Sequence, residues 1–213
     1  MHLVTGALTI SLLLHFAMPP TWTDLSPGVP DQAWEGVSPT FKASVKSDTA
    51  IVFFAAELNG PADGFLENMN ARIQRSPGPL TDAMLVKLAA LMPAGMPNVN
   101  YQLIDHRIVV IDGVDCGRIV SSLLLDGSPS VDVTYLLPSG DQLGIVVFST
   151  TPDALKTYEP VFDAAIRRTS GIQGPPSREY KVLGEALIAG LAGGLAALLM
   201  ALARKRRRAR RQP

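Results

Sequence analysis

The eighteen residues from Ala186 to Ala203 (ALIAGLAGGLAALLMALA) carry no charge and no polar side chain, and a basic cluster follows at once. As a helix this run is about 27 Å long at roughly 1.5 Å per residue, and Val182 to Gly184 bring it to the ~30 Å hydrocarbon thickness of a bilayer. Residues 182–203 are therefore expected to form one C-terminal transmembrane helix. Arg204, Lys205, Arg206, Arg207, Arg208, Arg210 and Arg211 set its direction. Moving one positive charge outward against 100 mV costs about 2.3 kcal/mol, so exporting all of them would cost roughly 16. Each also gains about 1 kcal/mol beside an anionic inner leaflet. The expected topology is a single pass through the cytoplasmic membrane of a bacterium, with the basic tail (204–213) inside and the rest of the chain outside.

Charge supports that division. The chain has 19 basic and 19 acidic residues, but without the seven of the tail the balance is 12 against 19, a formal charge of −7. A nucleic-acid surface needs a basic stripe on the folded part, so nucleic acid is not an expected partner. At the other end, Leu3 to Met18 (LVTGALTISLLLHFAM) is apolar and closed by Pro19-Pro20. It reads as a signal peptide or an uncleaved hydrophobic segment over 1–18, although it lacks Lys and Arg ahead of the apolar run. No cysteine follows it, which excludes a lipoprotein signal. The single cysteine, Cys116, allows no intramolecular disulfide, so an exported domain must hold together by its core alone.

Between the apolar ends lie a proline-rich stretch (19–40), a domain (41–170) and a spacer (171–181). The stretch PPTWTDLSPGVPDQAWEGVSPT has no periodicity and reads as an extended lead-in, with Trp22 and Trp34 as points that pin it to the domain. Within the domain, Ile51–Leu58, Asn68–Gln74, Val99–Ile111, Arg118–Leu125, Val131–Leu137 and Leu143–Phe148 have strand patterns, the last two joined by the turn Pro138-Ser139-Gly140-Asp141. Leu80–Met92 is helical behind a Thr81 cap, with a stripe of Met84, Leu85, Leu88, Leu91 and Met92. A last helix opens at Thr151-Pro152-Asp153 and buries Leu155, Tyr158, Phe162, Ala165 and Ile166, with Pro160 expected to kink or divide it. About six strands in hairpin-rich order with two long helices predict an α+β fold, a sandwich with a largely antiparallel sheet.

The order of the apolar strand at 51–58, the alternating ENMNARIQ (67–74), the helix from Leu80-Thr81, the hairpin YLLPSGDQLGIVVFST (135–150) and the closing TYEPVFDAAIRRT (157–169) resembles the PsbP/Mog superfamily, which includes bacterial envelope proteins of DcrB and LpqN type. The resemblance covers about residues 41–169. It implies an α-β-α sandwich used for binding or assembly, with no family-wide catalytic residue to carry over.

Chemistry-bearing motifs are few. His106 is the one histidine outside the leader, too few for a histidine-based metal site. No phosphate-cradling loop, dinucleotide fingerprint or nucleophile elbow is present, so neither a cofactor nor a metal is expected. Asp112, Asp115 and Asp141 lie in hairpin turns and are the candidate binding loops, because loops held by a sheet commonly carry function. Asp105, His106, Asp112 and Asp115 admit a weak Ca²⁺ or Mg²⁺ site, and a solvated turn explains them better. In the span, Ala186, Gly190 and Gly194 form a small-residue ridge suited to a homodimer. The expected function is a membrane-anchored, non-catalytic binding or assembly module of the cell envelope, outside the cytoplasmic membrane, with the lipid bilayer and a protein, lipid or cell-wall ligand as its partners. The alternatives are a hydrolase-type enzyme using Cys116 with His106, or the acidic site, and a structural subunit assembling through its transmembrane helix.

Overall fold

The computed structural model describes residues 14–60, 65–95, 99–125 and 127–174. Their centre is a sheet of β1 (Thr23–Asp24), β2 (Phe53–Ala56), β3 (Asn68–Arg75), β4 (Val99–Ile111), β5 (Val114–Leu125), β6 (Ser128–Ser139) and β7 (Gln142–Thr150). The spatial order is β1-β2-β3-β7-β6-β5-β4, and every pair is antiparallel. Short turns write most of this order. Asp112 (φ 50°) and Gly113 (φ 77°) take the left-handed pair that matches the twist of a two-residue hairpin between β4 and β5. Gly140 (φ 63°) does similar work between β6 and β7.

The helices are α1 (Pro39–Ser47), α2 (Asp82–Leu91) and α3 (Leu155–Arg168). Strand alternation gives the sheet two apolar faces. On one, Val133, Tyr135, Leu137, Val146 and Phe148 pack against Tyr158, Phe162, Ala165 and Ile166 of α3. On the other, Ile119, Leu123, Leu136 and Ile145 receive Leu85, Leu88 and Ala89 of α2, which the Thr81 hydroxyl caps by accepting from the Met84 N–H. Gly117 permits this approach, since a Cβ there would lie 2.7 Å from Leu85 Cδ2. On that same face at the β1–β2 end, α1 covers Phe54 and Ala56 with Phe41 and Val45. The result is α3 on one side of the sheet and α1 with α2 on the other.

Four expectations change. The sheet has seven strands rather than about six, because Thr23–Asp24 of the expected lead-in pairs with β2. That lead-in is not a bare extended linker: Trp22, Leu25 and Trp34 are buried, and a short 3-10 helix (Asp31–Trp34) runs into α1, whose N-cap is Ser38. The apolar N-terminal segment divides. Residues 1–13 lie outside the described residues, whereas Leu14 is buried, Phe16 packs on Phe53, and His15 bridges Ser170 through two backbone hydrogen bonds. Finally, α3 is one undivided helix. Pro160 and Lys156, the residue whose carbonyl it leaves without a helical donor, are both exposed, so the lost bond falls on the solvent side of the helix.

At the C-terminal side, the expected spacer begins against the domain, with Ile172 buried and the Gln173 N–H donating to the Pro138 carbonyl. Among the described residues no helix is long and apolar enough to cross a membrane. The expected span 182–203, its ridge of Ala186, Gly190 and Gly194, and the basic tail lie outside the described residues.

Candidate functional site

One irregularity in β4 builds the most distinctive polar site. Tyr101 pairs with Leu123 and Leu103 with Ser121, but the next pair is Asp105 with Val120, so Ile104 is an extra residue. A one-residue slip sends every later side chain to the other face of a strand. Before the bulge, Tyr101 and Leu103 pack on the α2 side. After it, Asp105, Arg107, Val109 and Ile111 share the α3 face with their partners Val120, Arg118, Cys116 and Val114.

This places Arg107, Arg118 and Tyr135 in one row across β4, β5 and β6. The Arg118 side chain is only 3% exposed. Its Nη2 donates to Glu159 of α3, Nη1 lies 3.4 Å from Asp105 Oδ2, and Nε lies 3.4 Å from the Tyr135 hydroxyl. The Tyr135 hydroxyl donates in turn to Asp163 of α3. A guanidinium stays charged when buried, so it is tolerated only where carboxylates and hydrogen bonds replace its water. Glu159 of α3, Asp105 of β4 and the Tyr135 hydroxyl supply that, and Asp163, one turn after Glu159, fixes the hydroxyl. Burial, reinforced by Asp163, pushes the Tyr135 phenol above its ordinary pKa, so the hydroxyl keeps its proton.

Beside this row lies a cavity of about 110 Å³ between β4 and α3. Arg107, Arg118, Arg167, Tyr135 and Asp163 supply its polar lining, with Val109 and Ile166 among its apolar wall. Arg107 and Arg167 are both exposed. The arrangement has features of a recognition cleft: a fixed buried cation, an engaged phenol and two outer guanidinium groups.

The residues singled out from the sequence are distributed around it. Cys116 is fully buried on the cleft side of β5. Its thiol is pushed up to about 12, first by burial and then by Asp115 and Asp112. His106 pairs with Ile119 on the opposite face of the sheet, where its Nε2 lies 3.4 Å from Asp82 Oδ1 at the start of α2. The two cannot form a nucleophile–base pair. Asp112 and Asp115 sit at the β4–β5 hairpin and Asp141 at the β6–β7 turn; register places both turns at one end of the sheet. None of these three aspartates lines the cavity. Among the described residues no group of His, Cys, Asp or Glu is arranged to hold a metal ion.

Arg118, Tyr135, Glu159 and Asp163 were not marked by any motif. A usable signal existed: Arg118 stands alone as a charge in the apolar strand Gly117–Leu125, and Glu159 and Asp163 recur at i and i+4 beside the buried stripe of α3.

No family model matches the sequence, and no curated protein does. Solved structures do. The cyanobacterial PsbP (CyanoP) of Synechocystis sp. PCC 6803 is similar over 78% of this chain and 96% of its own, at 17% identity and a TM-score of 0.50. The Ran-binding protein Mog1p of Saccharomyces cerevisiae is 9% identical over 75% of this chain and 90% of its own, with a TM-score of 0.48. LpqN of Mycobacterium tuberculosis, involved in cell envelope biogenesis, is 13% identical over 74% and 82%, with a TM-score of 0.46. At such identities the likeness is one of fold. The chain has the PsbP/Mog-like fold.

Proposed function

We propose that this chain is a non-catalytic binding or assembly module of a bacterial cell envelope, held on the outer side of the cytoplasmic membrane by residues 182–203, and that it docks a protein at the β4 edge and the adjoining cleft. The observation that carries the reading is the cleft itself. Its volume of about 110 Å³ is well below the roughly 300–1,000 Å³ of small-molecule pockets and suits a single inserted side chain. It opens beside a strand that ends the sheet order, where Ile104 is 53% and Val110 60% exposed. Such edges accept partner chains, and the bulge with the charged Asp105 and Arg107 beside it restrains indiscriminate pairing. Cys116 and His106 lie on opposite faces of the sheet and cannot act as a pair, which supports a non-catalytic reading over a Cys–His hydrolase.

Two experiments test this. With a photo-crosslinking amino acid at Val110 of the full-length chain in intact cells, a discrete protein adduct is expected, and none with the same probe at exposed Val86 of α2. Equal labelling at both positions, or none at Val110, overturns the docking site. For topology, external protease on spheroplasts is expected to digest the domain while a tag after Pro213 survives, because exporting the seven tail charges would cost roughly 16 kcal/mol. A protected domain with an accessible tag overturns the anchoring.

A further inference from the structure

We infer that the cleft recognises an acidic side chain, an Asp or Glu carboxylate, on the protein partner. The inference rests on the docking reading above and adds the chemistry that the cleft selects.

The β4–β5 register sets Arg107 directly opposite Arg118 on one face. Like charges in directly opposed positions repel, and sheets ordinarily avoid them. The counter-charge the two share is one oxygen of Asp105, which lies 3.4 Å from a guanidinium nitrogen of each. That is longer than the roughly 2.7–2.9 Å of a good charge-assisted bond. Arg167, in the last turn of α3, adds a third guanidinium to the lining and has no ion-pair partner among the described residues. Two other carboxylates stand nearby: Glu159 is paired with Arg118 Nη2, and Asp163 accepts from the neutral Tyr135 hydroxyl, which leaves it the one acidic group of the lining. The lining thus contains three arginines and one aspartate, although the rest of the chain before the tail is strongly acidic.

A carboxylate entering from the β4 side would meet Arg107 and Arg167 first. Seated, it would offer short, forked hydrogen bonds to Arg107, whose contact with Asp105 is 3.4 Å long, and to Arg167, and would offset the Arg107–Arg118 repulsion. The Ile104 bulge is the device that makes this possible, because without it Arg107 would face α2. The cavity's size holds one side chain rather than a free metabolite.

The test uses the Val110 crosslink in the full-length chain. Arg107→Glu with Arg167→Glu is expected to lower the adduct yield at least about tenfold, the scale for reversing interfacial charges, and Arg107→Lys with Arg167→Lys to retain most of it. Both residues are exposed, and thermal unfolding of each purified variant checks that the domain still folds. Reversing the crosslinked partner's Asp or Glu to Arg is expected to restore the adduct in the Glu variant. An undiminished adduct in the Glu variant overturns the carboxylate assignment while leaving the docking site standing. Absence of any adduct in the unsubstituted chain overturns the docking site itself. Release of the purified complex by millimolar inorganic phosphate, without rescue by the partner's reversal, assigns the cleft to free anions and also overturns the inference.

Discussion

Phe162→Ala is expected to lower the stability of the domain by about 3–5 kcal/mol, the range for deleting a fully buried phenylalanine. Phe162 is completely buried and stacks on Phe148 of β7 with ring centroids 4.5 Å apart. Tyr158 lies along the same helix at 6.0 Å and Trp22 meets the ring edge-on at 6.1 Å. One side chain therefore joins three parts of the chain: α3, the sheet, and the N-terminal stretch that carries β1. Truncation removes the transfer free energy of the ring and leaves a cavity that stacked, sheet-bound neighbours cannot close. Urea unfolding of the full-length chain in detergent, followed by tryptophan fluorescence, measures the loss. Phe162→Leu, which keeps most of the volume, is expected to lose less. A cost below about 1 kcal/mol for the alanine variant would show that α3 does not cover this face.

The parts of this fold written in local pattern were legible. The β6–β7 hairpin, the Thr81 cap and the α3 stripe depend on neighbours a few residues apart, and Tyr158, Phe162, Ala165 and Ile166 are buried as their spacing required. What was missed depends on distant partners. Thr23–Asp24 becomes a strand only because β2 offers it an edge. In α1 the buried apolar residues are Phe41 and Val45, one turn apart, too weak a period to stand out before the β1–β2 end is known. The same holds for the candidate site. His106 and Cys116 are ten positions apart and looked like possible partners, but the sheet lies between them. The Ile104 bulge has no sequence signature of its own, being defined by which residue of β5 each residue of β4 faces. Arg118 could have been marked as an isolated charge in an apolar strand, but Asp105, Glu159 and Asp163 become its surroundings only when β4 and α3 converge.

The second large effect is expected from Asp132, at the centre of β6 on the face away from α3. The residue is 1% exposed, and no well-formed hydrogen bond reaches either carboxylate oxygen, the Ser149 hydroxyl beside it compensating only in part. Ser121 and Ser149 are its directly opposed neighbours on β5 and β7. Burial pushes the carboxyl from its ordinary value of 3.8 up to about 7, with the Ser149 hydroxyl pulling weakly the other way. The folded chain therefore binds this proton more tightly than the unfolded chain does. Between about pH 4 and pH 7 the native state holds the extra proton, so stability falls as pH rises across that window and levels off above it. At about 1.4 kcal/mol per unit the total approaches 4 kcal/mol, an upper figure for a carboxyl whose surroundings can relax. Asp31 has the opposite sense, its carboxyl lowered to about 2 by Lys46 and Lys42, but it is fully exposed and does not offset the slope. Asp132→Asn, nearly the same shape without the charge, is expected to flatten this dependence and to be the more stable form at pH 8 by about 2–4 kcal/mol. Denaturant unfolding of both forms at pH 4.5, 6 and 8 decides the matter: parallel pH profiles, or an asparagine variant weaker at pH 8, would mean that Asp132 is charged and paired in the folded chain.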